Sequence, residues 1–317
     1  MTVANAPALI NGDAEATPRR HPLAEPGPRR RSGLASILNL RVLGLTPFAV
    51  YVILFLAIPT ILAISTGFFT EDGAFTLDNV VGIFAPNVLA AFGSSFFVSA
   101  VTAVVGAVVG ALVCYALLGT RAEGALRTVI DSVSSVLAQF GGVMLAFMFI
   151  ATLGNQGLVT KFLADALGID LFAGGQWLYQ VPGLLIVYLF FQVPLMIITF
   201  MPALSGLKDT WAEANATLGG TPFTYWTRIA IPVLAPSFIG SLLLLFANAF
   251  SSYATAAALV SQGSPIVPLQ IRAALVSETV LGRENMAGAL ALGMVVVMVL
   301  VMWGYSVLQS RTSRWQK

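Results

Sequence analysis

The sequence predicts an all-α integral membrane protein, with six transmembrane helices and a polar helix–turn–helix loop between the fourth and the fifth. Three observations carry this. Of the 317 residues, 57% are hydrophobic and 9% are charged, against a charged share of about 25% in soluble domains. Six apolar runs, near 45–68, 92–118, 132–152, 180–204, 233–260 and 286–309, reach the length of about 20 residues that a span requires. None of the six contains Asp, Glu, Lys, Arg or His, and each such charge near the bilayer centre would cost about 2.5–3.5 kcal/mol.

Residues 1–41, rich in Pro, Ala and Arg, read as a disordered cytoplasmic tail. The first apolar run begins near residue 42 and is too long for a signal-peptide core. Residues 42–91 are therefore assigned an uncleaved first helix, with Pro47 and Pro59, and an external loop carrying Glu71, Asp72 and Asp78. In the second span Ser95, Ser99, Thr102, Gly106 and Gly110 form a stripe of small residues. Such stripes let helices pack closely, and lining a pore is the alternative. The third span carries Ser132, Ser135, Gln139, Gly142 and Ala146, and Gly154–Gly157 should end it before an amphipathic helix over 158–167. Tyr188, Gln192 and Thr199 mark the fourth span, and Ser241, Asn248, Ser252 and Thr255 the fifth. Amides are expensive in lipid unless they face protein or water. Gln139, Gln192 and Asn248, with Ser252 and Thr255, are thus expected to line a translocation path or to bond helix to helix. Residues 264–285 read as an external loop with an interfacial helix, and 311–317 as a short cytoplasmic tail.

Orientation follows from the cations. With the N-terminus inside, thirteen of the sixteen Lys and Arg fall on inside segments, leaving Lys161, Arg272 and Arg283 outside, while the fourteen acids divide evenly. That is the positive-inside pattern. It places both termini and the loop at 205–231 in the cytoplasm, and the basic residues near anionic lipid headgroups; nothing in the charge points to nucleic acid. One cysteine, Cys114, and one histidine, His21 in the tail, leave no disulfide and no Cys- or His-based metal site within the chain.

The loop itself reads SGLKDTWAEANATLGGTPFTYWTRIAI. Leu207, Trp211, Ala214 and Leu218 recur at helical spacing, Thr210 and Glu213 fit a capping box, and Gly219 with Gly220 should stop the helix. Thr221 and Pro222 can open a second short helix, which Ile231 and Pro232 should close. The order Glu213, Ala214, Asn215, three residues, Gly219, nine residues, Ile229, Ala230, Ile231, Pro232 resembles the EAA loop of the permease subunits of MetI-like ABC importers. Asn215 stands where that pattern has a second Ala, and Ile231 where it has Leu.

The resemblance extends in arrangement over about 92–310, the permease core of five transmembrane helices. It implies a half-channel in a bacterial plasma membrane, two ATPase subunits binding ATP and Mg, a second permease that is a related but different chain, and an external solute-binding protein. It also implies that Trp211, Glu213, Ala214, Leu218, Gly219, Ile229 and Pro232 meet the ATPase. The stretch 247–260 looks more like permeases of the polyamine, phosphonate and ferric-iron group than like sugar permeases. A polyamine site would be expected to offer carboxylates, which the six spans lack, and the three amides would also suit a sugar.

The residues exclude a motor in the chain, since none of Lys161, Lys208 and Lys317 follows a Gly as a P-loop requires. No cofactor is called for and no cluster suits catalysis, so the chain reads as a transport subunit and not an enzyme. A sodium-driven secondary transporter using broken helices remains the alternative.

Overall fold

The computed structural model describes residues 40–120, 124–260, 265–276 and 284–312. The tail assigned to 1–41 falls outside them apart from Leu40 and Arg41, which already belong to helix, as does the tail at 311–317 beyond Thr312. The described chain is helical, with a lone bridge between Phe69 and Phe75. Six runs among the described residues are long and apolar enough to cross a membrane: Leu45–Phe68, Pro86–Leu118, Gly142–Leu167, Val181–Ser205, Pro222–Phe250 and Glu284–Val307.

Two units make up the chain, residues 1–56 and 57–317. In the first, α1 (Leu40–Val52) leads into a π-helical turn, Ile53–Ala57. Phe48, Tyr51 and Phe55 are exposed on it. Pro59 explains the turn, because its ring clashes with the carbonyl four residues back, at Phe55, and an extra residue in the turn relieves the clash.

The second unit comprises α2 (Ile58–Ser65), α3 (Asp78–Gly82), α4 (Pro86–Leu118), α5 (Ala125–Gln139), α6 (Gly142–Leu153), α7 (Leu158–Leu167), α8 (Val181–Ser205), α9 (Asp209–Thr217), α10 (Pro222–Tyr225), α11 (Ile231–Phe250), α12 (Ala254–Leu259), α13 (Val267–Leu275) and α14 (Glu284–Thr312). Its centre is α8, which buries Leu184, Tyr188, Gln192, Met196, Phe200 and Leu204 along its length. The small-residue stripe of α4 packs on it. A Cβ on Gly106 would lie 2.9 Å from the Gln192 Cβ, and one on Gly110 2.6 Å from the Met196 Cβ. Glycine here is what allows the two backbones to approach. One apolar cluster joins Leu145, Phe149, Leu184 and Tyr188. A second joins Cys114, Met196, Phe200, Leu234 and Leu245.

Several boundaries differ from those the sequence predicts. The second span starts at Pro86, not 92, because Pro suits a first helical turn and Ala85 before it is extended. The third span is broken. By length and apolarity alone the run Gly142–Leu167 qualifies, but packing assigns the crossing to α5 and α6 together. Arg127, near the start of α5, donates to Ser205 at the end of α8, and Gly154, at the end of α6, lies against the Tyr179 hydroxyl just before α8 begins. The pair therefore runs antiparallel to the whole of α8, about 37 Å at 1.5 Å per residue. The break falls at Phe140–Gly141, where Gly142 takes a φ of 72°.

The fifth span is broken too. It ends at Phe250, and Ser251–Tyr253 turn the chain into α12, so 233–260 is not one helix. The segment expected to form an interfacial helix holds α13, which is no mere surface helix: Val267, Pro268 and Leu269 are buried, and the Val267 N–H donates to Ser95 Oγ at 2.9 Å.

Candidate functional site

The loop between α8 and α11 is built from α9, a four-residue turn and α10. Helix α9 begins one residue before Thr210, with Lys208 at its cap position and no side-chain cap. The expected capping box therefore does not form, because Thr210 already lies inside the helix. Glu213 is exposed, and its side chain makes no hydrogen bond or ion pair among the described residues. Gly219 takes the left-handed conformation, φ 76°, and Gly220 N–H closes back on the Asn215 carbonyl at 2.8 Å. This is the glycine-terminated helix end expected from the pair of glycines.

Thr221 caps α10, accepting from the Thr224 N–H, with Pro222 in the first turn. Pro232 does not end that helix. A π-helical turn, Trp226–Ala230, carries α10 into α11 without a stop. The reason is the one given for Pro59: the extra residue makes room for the proline ring.

Asn215 stands out in the sequence only as a departure from the family pattern, yet the structure gives it a part in the loop. Its Nδ2 donates to the Thr221 carbonyl at 3.1 Å, tying the end of α9 to the start of α10. An Asn four residues before a Gly-Gly pair is the available signal, since its short amide can bond backbone across a turn. Trp211, Ala214, Asn215, Leu218, Ile229 and Val233 line an open cavity of about 360 Å³. Leu218 is 89% exposed at its edge, whereas Trp211 is half-buried. Pro232 is exposed in the first turn of α11. Trp226 holds the far side of the loop, its ring 5.1 Å from that of Tyr115 on α4.

The polar residues of the spans fall into two groups. At the breaks, the Gly142 N–H donates to Thr255 Oγ1 at 2.9 Å, joining α6 to α12. Gln139, exposed, ends α5 three residues earlier, and Ser252, half-buried, lies in the turn before α12, its carbonyl accepting from the Tyr188 hydroxyl at 2.8 Å. Thr255 is fully buried. Away from the breaks, Gln192 is fully buried, and its Nε2 donates to the Leu245 carbonyl at 2.8 Å. That contact bonds helix to helix, while the Gln192 Oε1 is buried with no partner among the described residues. Asn248 is half-buried on α11.

Replacing Thr255 with valine should leave the Gly142 N–H without its acceptor, at a cost of about 1–3 kcal/mol. Thermal unfolding of the purified protein in detergent should show a lower midpoint for Thr255→Val and a near-normal one for Thr255→Ser. Among the described residues no cluster of three or more His, Cys, Asp or Glu could hold a metal ion.

No family model matches the chain. A probable sulfate transport system permease of Prototheca wickerhamii is 23% identical over 219 residues, 68% of this chain and 80% of that protein. A putative ferric transport system permease of Haemophilus influenzae is 26% identical over 206 residues, 63% of this chain and 31% of that protein. A bacterial ABC transporter that imports alginate has the same fold, with a TM-score of 0.70 at 17% identity over 86% of this chain and 95% of that one. It is also seen in complex with its alginate pentasaccharide-bound periplasmic protein.

The chain is thus similar in sequence to permease proteins of transport systems, and in fold to a subunit of an ABC importer. This permease is a multi-pass membrane protein. The relatives are permease proteins of transport systems.

Proposed function

We propose that this permease forms half of a translocation pathway in the bacterial inner membrane, with both termini and the 205–231 loop cytoplasmic. The loop docks on one of two ATPase subunits, a second and different permease completes the path, and an external binding protein delivers the solute. ATP and Mg are held by the ATPases. One observation carries the reading: the α9–turn–α10 loop presents Leu218, Phe223 and Glu213 outward, with no side-chain partner among the described residues. In this reading Trp211 and Ile229 shape the loop from within. Ala214, Leu218, Gly219 and Pro232 present or turn it, and Glu213 bonds the ATPase surface.

For the solute we propose a small inorganic oxyanion of the sulfate kind. The sulfate-permease relative supports it, and so does a path whose polar groups, Gln139, Asn248 and Ser252, are neutral amides and hydroxyls. Iron is the second reading, favoured by the ferric relative and by the character of 247–260. A dedicated polyamine site would need carboxylates, and the runs 92–118, 132–152, 180–204, 233–260 and 286–309 contain none.

Affinity purification of the tagged chain followed by mass spectrometry should recover an ATPase and a second permease. Proteoliposomes holding that complex should take up radiolabelled sulfate with ATP and binding protein present, whatever the sodium or proton gradient. A chain that purifies alone and transports without ATP would overturn the reading in favour of a gradient-driven carrier. Uptake of ferric iron or a polyamine in place of sulfate would overturn the solute assignment alone.

A further inference from the structure

We infer that Arg127 is a positioning residue that ties the loop-bearing end of α8 to the broken third span, so that displacement of the loop reaches the break at Phe140–Gly141. The inference rests on the loop being the ATPase contact.

Arg127 is badly placed for its own helix. It lies in the first turn of α5, two residues after Ala125, where the helix dipole disfavours a cation. Its pairing with Asp131 is weak, Nε to Oδ2 at 3.9 Å, and an Arg preceding its acid by four residues has the less favourable order for such a pair. For α8, in contrast, it is well placed. Its Nη2 donates to Ser205 Oγ at 2.7 Å, at the last residue of that helix, where the dipole favours a cation. The side chain is only 17% exposed, which argues against a mere anchor to lipid headgroups.

The two ends of this contact lead to the two parts of the site. Ser205 is separated from the start of α9 by Gly206, Leu207 and Lys208 alone, and the Gly206 and Leu207 N–H groups are bonded back to α8 carbonyls. A shift of α9 is therefore passed to Ser205 with little slack. In the other direction α5 runs unbroken from Arg127 to Gln139. It then reaches the Gly141–Gly142 break, where the Gly142 N–H is held by Thr255. Helix α5 packs along α8 but buries only Ser134 fully, and among the described residues the Arg127–Ser205 bond is the side-chain hydrogen bond that joins the two helices.

The test uses the whole complex, purified with its ATPase and placed in nanodiscs, in a Cys114→Ala background carrying Val143→Cys as an exposed reporter beside the break. Maleimide labelling is timed with and without ATP plus vanadate, and ATP hydrolysis is measured on the same samples. Arg127→Ala should leave ATPase recovery and basal hydrolysis unchanged while reducing the nucleotide-dependent change in labelling rate by about tenfold or more, the loss expected for one charge-assisted hydrogen bond. Ser205→Ala should act in the same direction, the double variant should be no worse than either single one, and Arg127→Lys should restore part of the response. A full labelling response in both Arg127→Ala and Ser205→Ala would overturn the inference. So would loss of the ATPase itself in those variants, since Arg127 would then be holding the loop and not transmitting its movement. A wild-type complex that contains no ATPase would instead overturn the functional reading on which this one rests.

Discussion

Gly219→Val is expected to strip most of the ATPase from the purified permease while leaving the permease itself folded. Gly219 sits at φ 76°, a region in which a side chain bearing a Cβ costs about 1–2 kcal/mol, and more when the residue is β-branched. No atom lies within 4 Å of where that Cβ would be, so the penalty is conformational, not a clash. It must be met by reshaping the turn, which would release the Gly220-to-Asn215 and Asn215-to-Thr221 bonds and swing α9 away from α10. A cost of that size corresponds to about five- to thirtyfold in a binding equilibrium, and quantitative mass spectrometry of the co-purified ATPase measures it. Asn tolerates the left-handed region better than other residues with a side chain, so Gly219→Asn should retain most of the partner. Equal recovery with Val, Asn and Gly would show that the turn takes no part in the contact.

The loop's spacing is readable in the residues because glycines and prolines mark turns whatever surrounds them. Gly219, Thr221 and Pro222 act where the local pattern puts them. The capping box fails for an equally local reason: α9 starts at Asp209, so the Thr210 hydroxyl is a residue too late to cap it. Pro232 misleads because the π-turn Trp226–Ala230 makes room for its ring, so the helix continues into α11. The breaks in the third and fifth spans are invisible to hydropathy, because Phe140, Gly141, Ser251 and Ser252 do not lower the apolar average enough. The backbone shows them, in the φ of Gly142 and in the helix ends at Gln139 and Phe250. For the same reason the polar residues at mid-span can be found but not sorted. Gln192 and Thr255 are both buried and bonded, whereas Gln139 is exposed at a break, and nothing in their sequence neighbourhoods separates these cases. Arg127 escapes notice in the sequence because its partner, Ser205, lies on a different helix 78 positions away.

The second large effect is expected at the α4–α8 seam, and it would be on folding and not on coupling. Gly110→Ile places a branched side chain where even a Cβ would stand 2.6 Å from Met196 Cβ, 2.8 Å from its Cγ and 3.0 Å from the Val193 carbonyl oxygen. Met196 is fully buried and Val193 contributes backbone, so neither can move aside without shifting one helix relative to the other. Overpacking of this kind costs about 1–3 kcal/mol when side chains alone must yield, and backbone contact puts Gly110 at or above the upper end. The shift would also disturb the Cys114 contact with the Ile197 carbonyl one turn further on. Gly93, on the same helix, has no atom within 4 Å of the place a Cβ would take, so Gly93→Ile serves as the matched control, differing in packing but not in helix propensity. Fluorescence-detected size exclusion after graded heating should show Gly110→Ile aggregating well below the wild-type midpoint, with Gly93→Ile close to it. If both variants matched the wild type, the close approach of α4 to α8 would have to be abandoned, and with it the position of Gln192 between them.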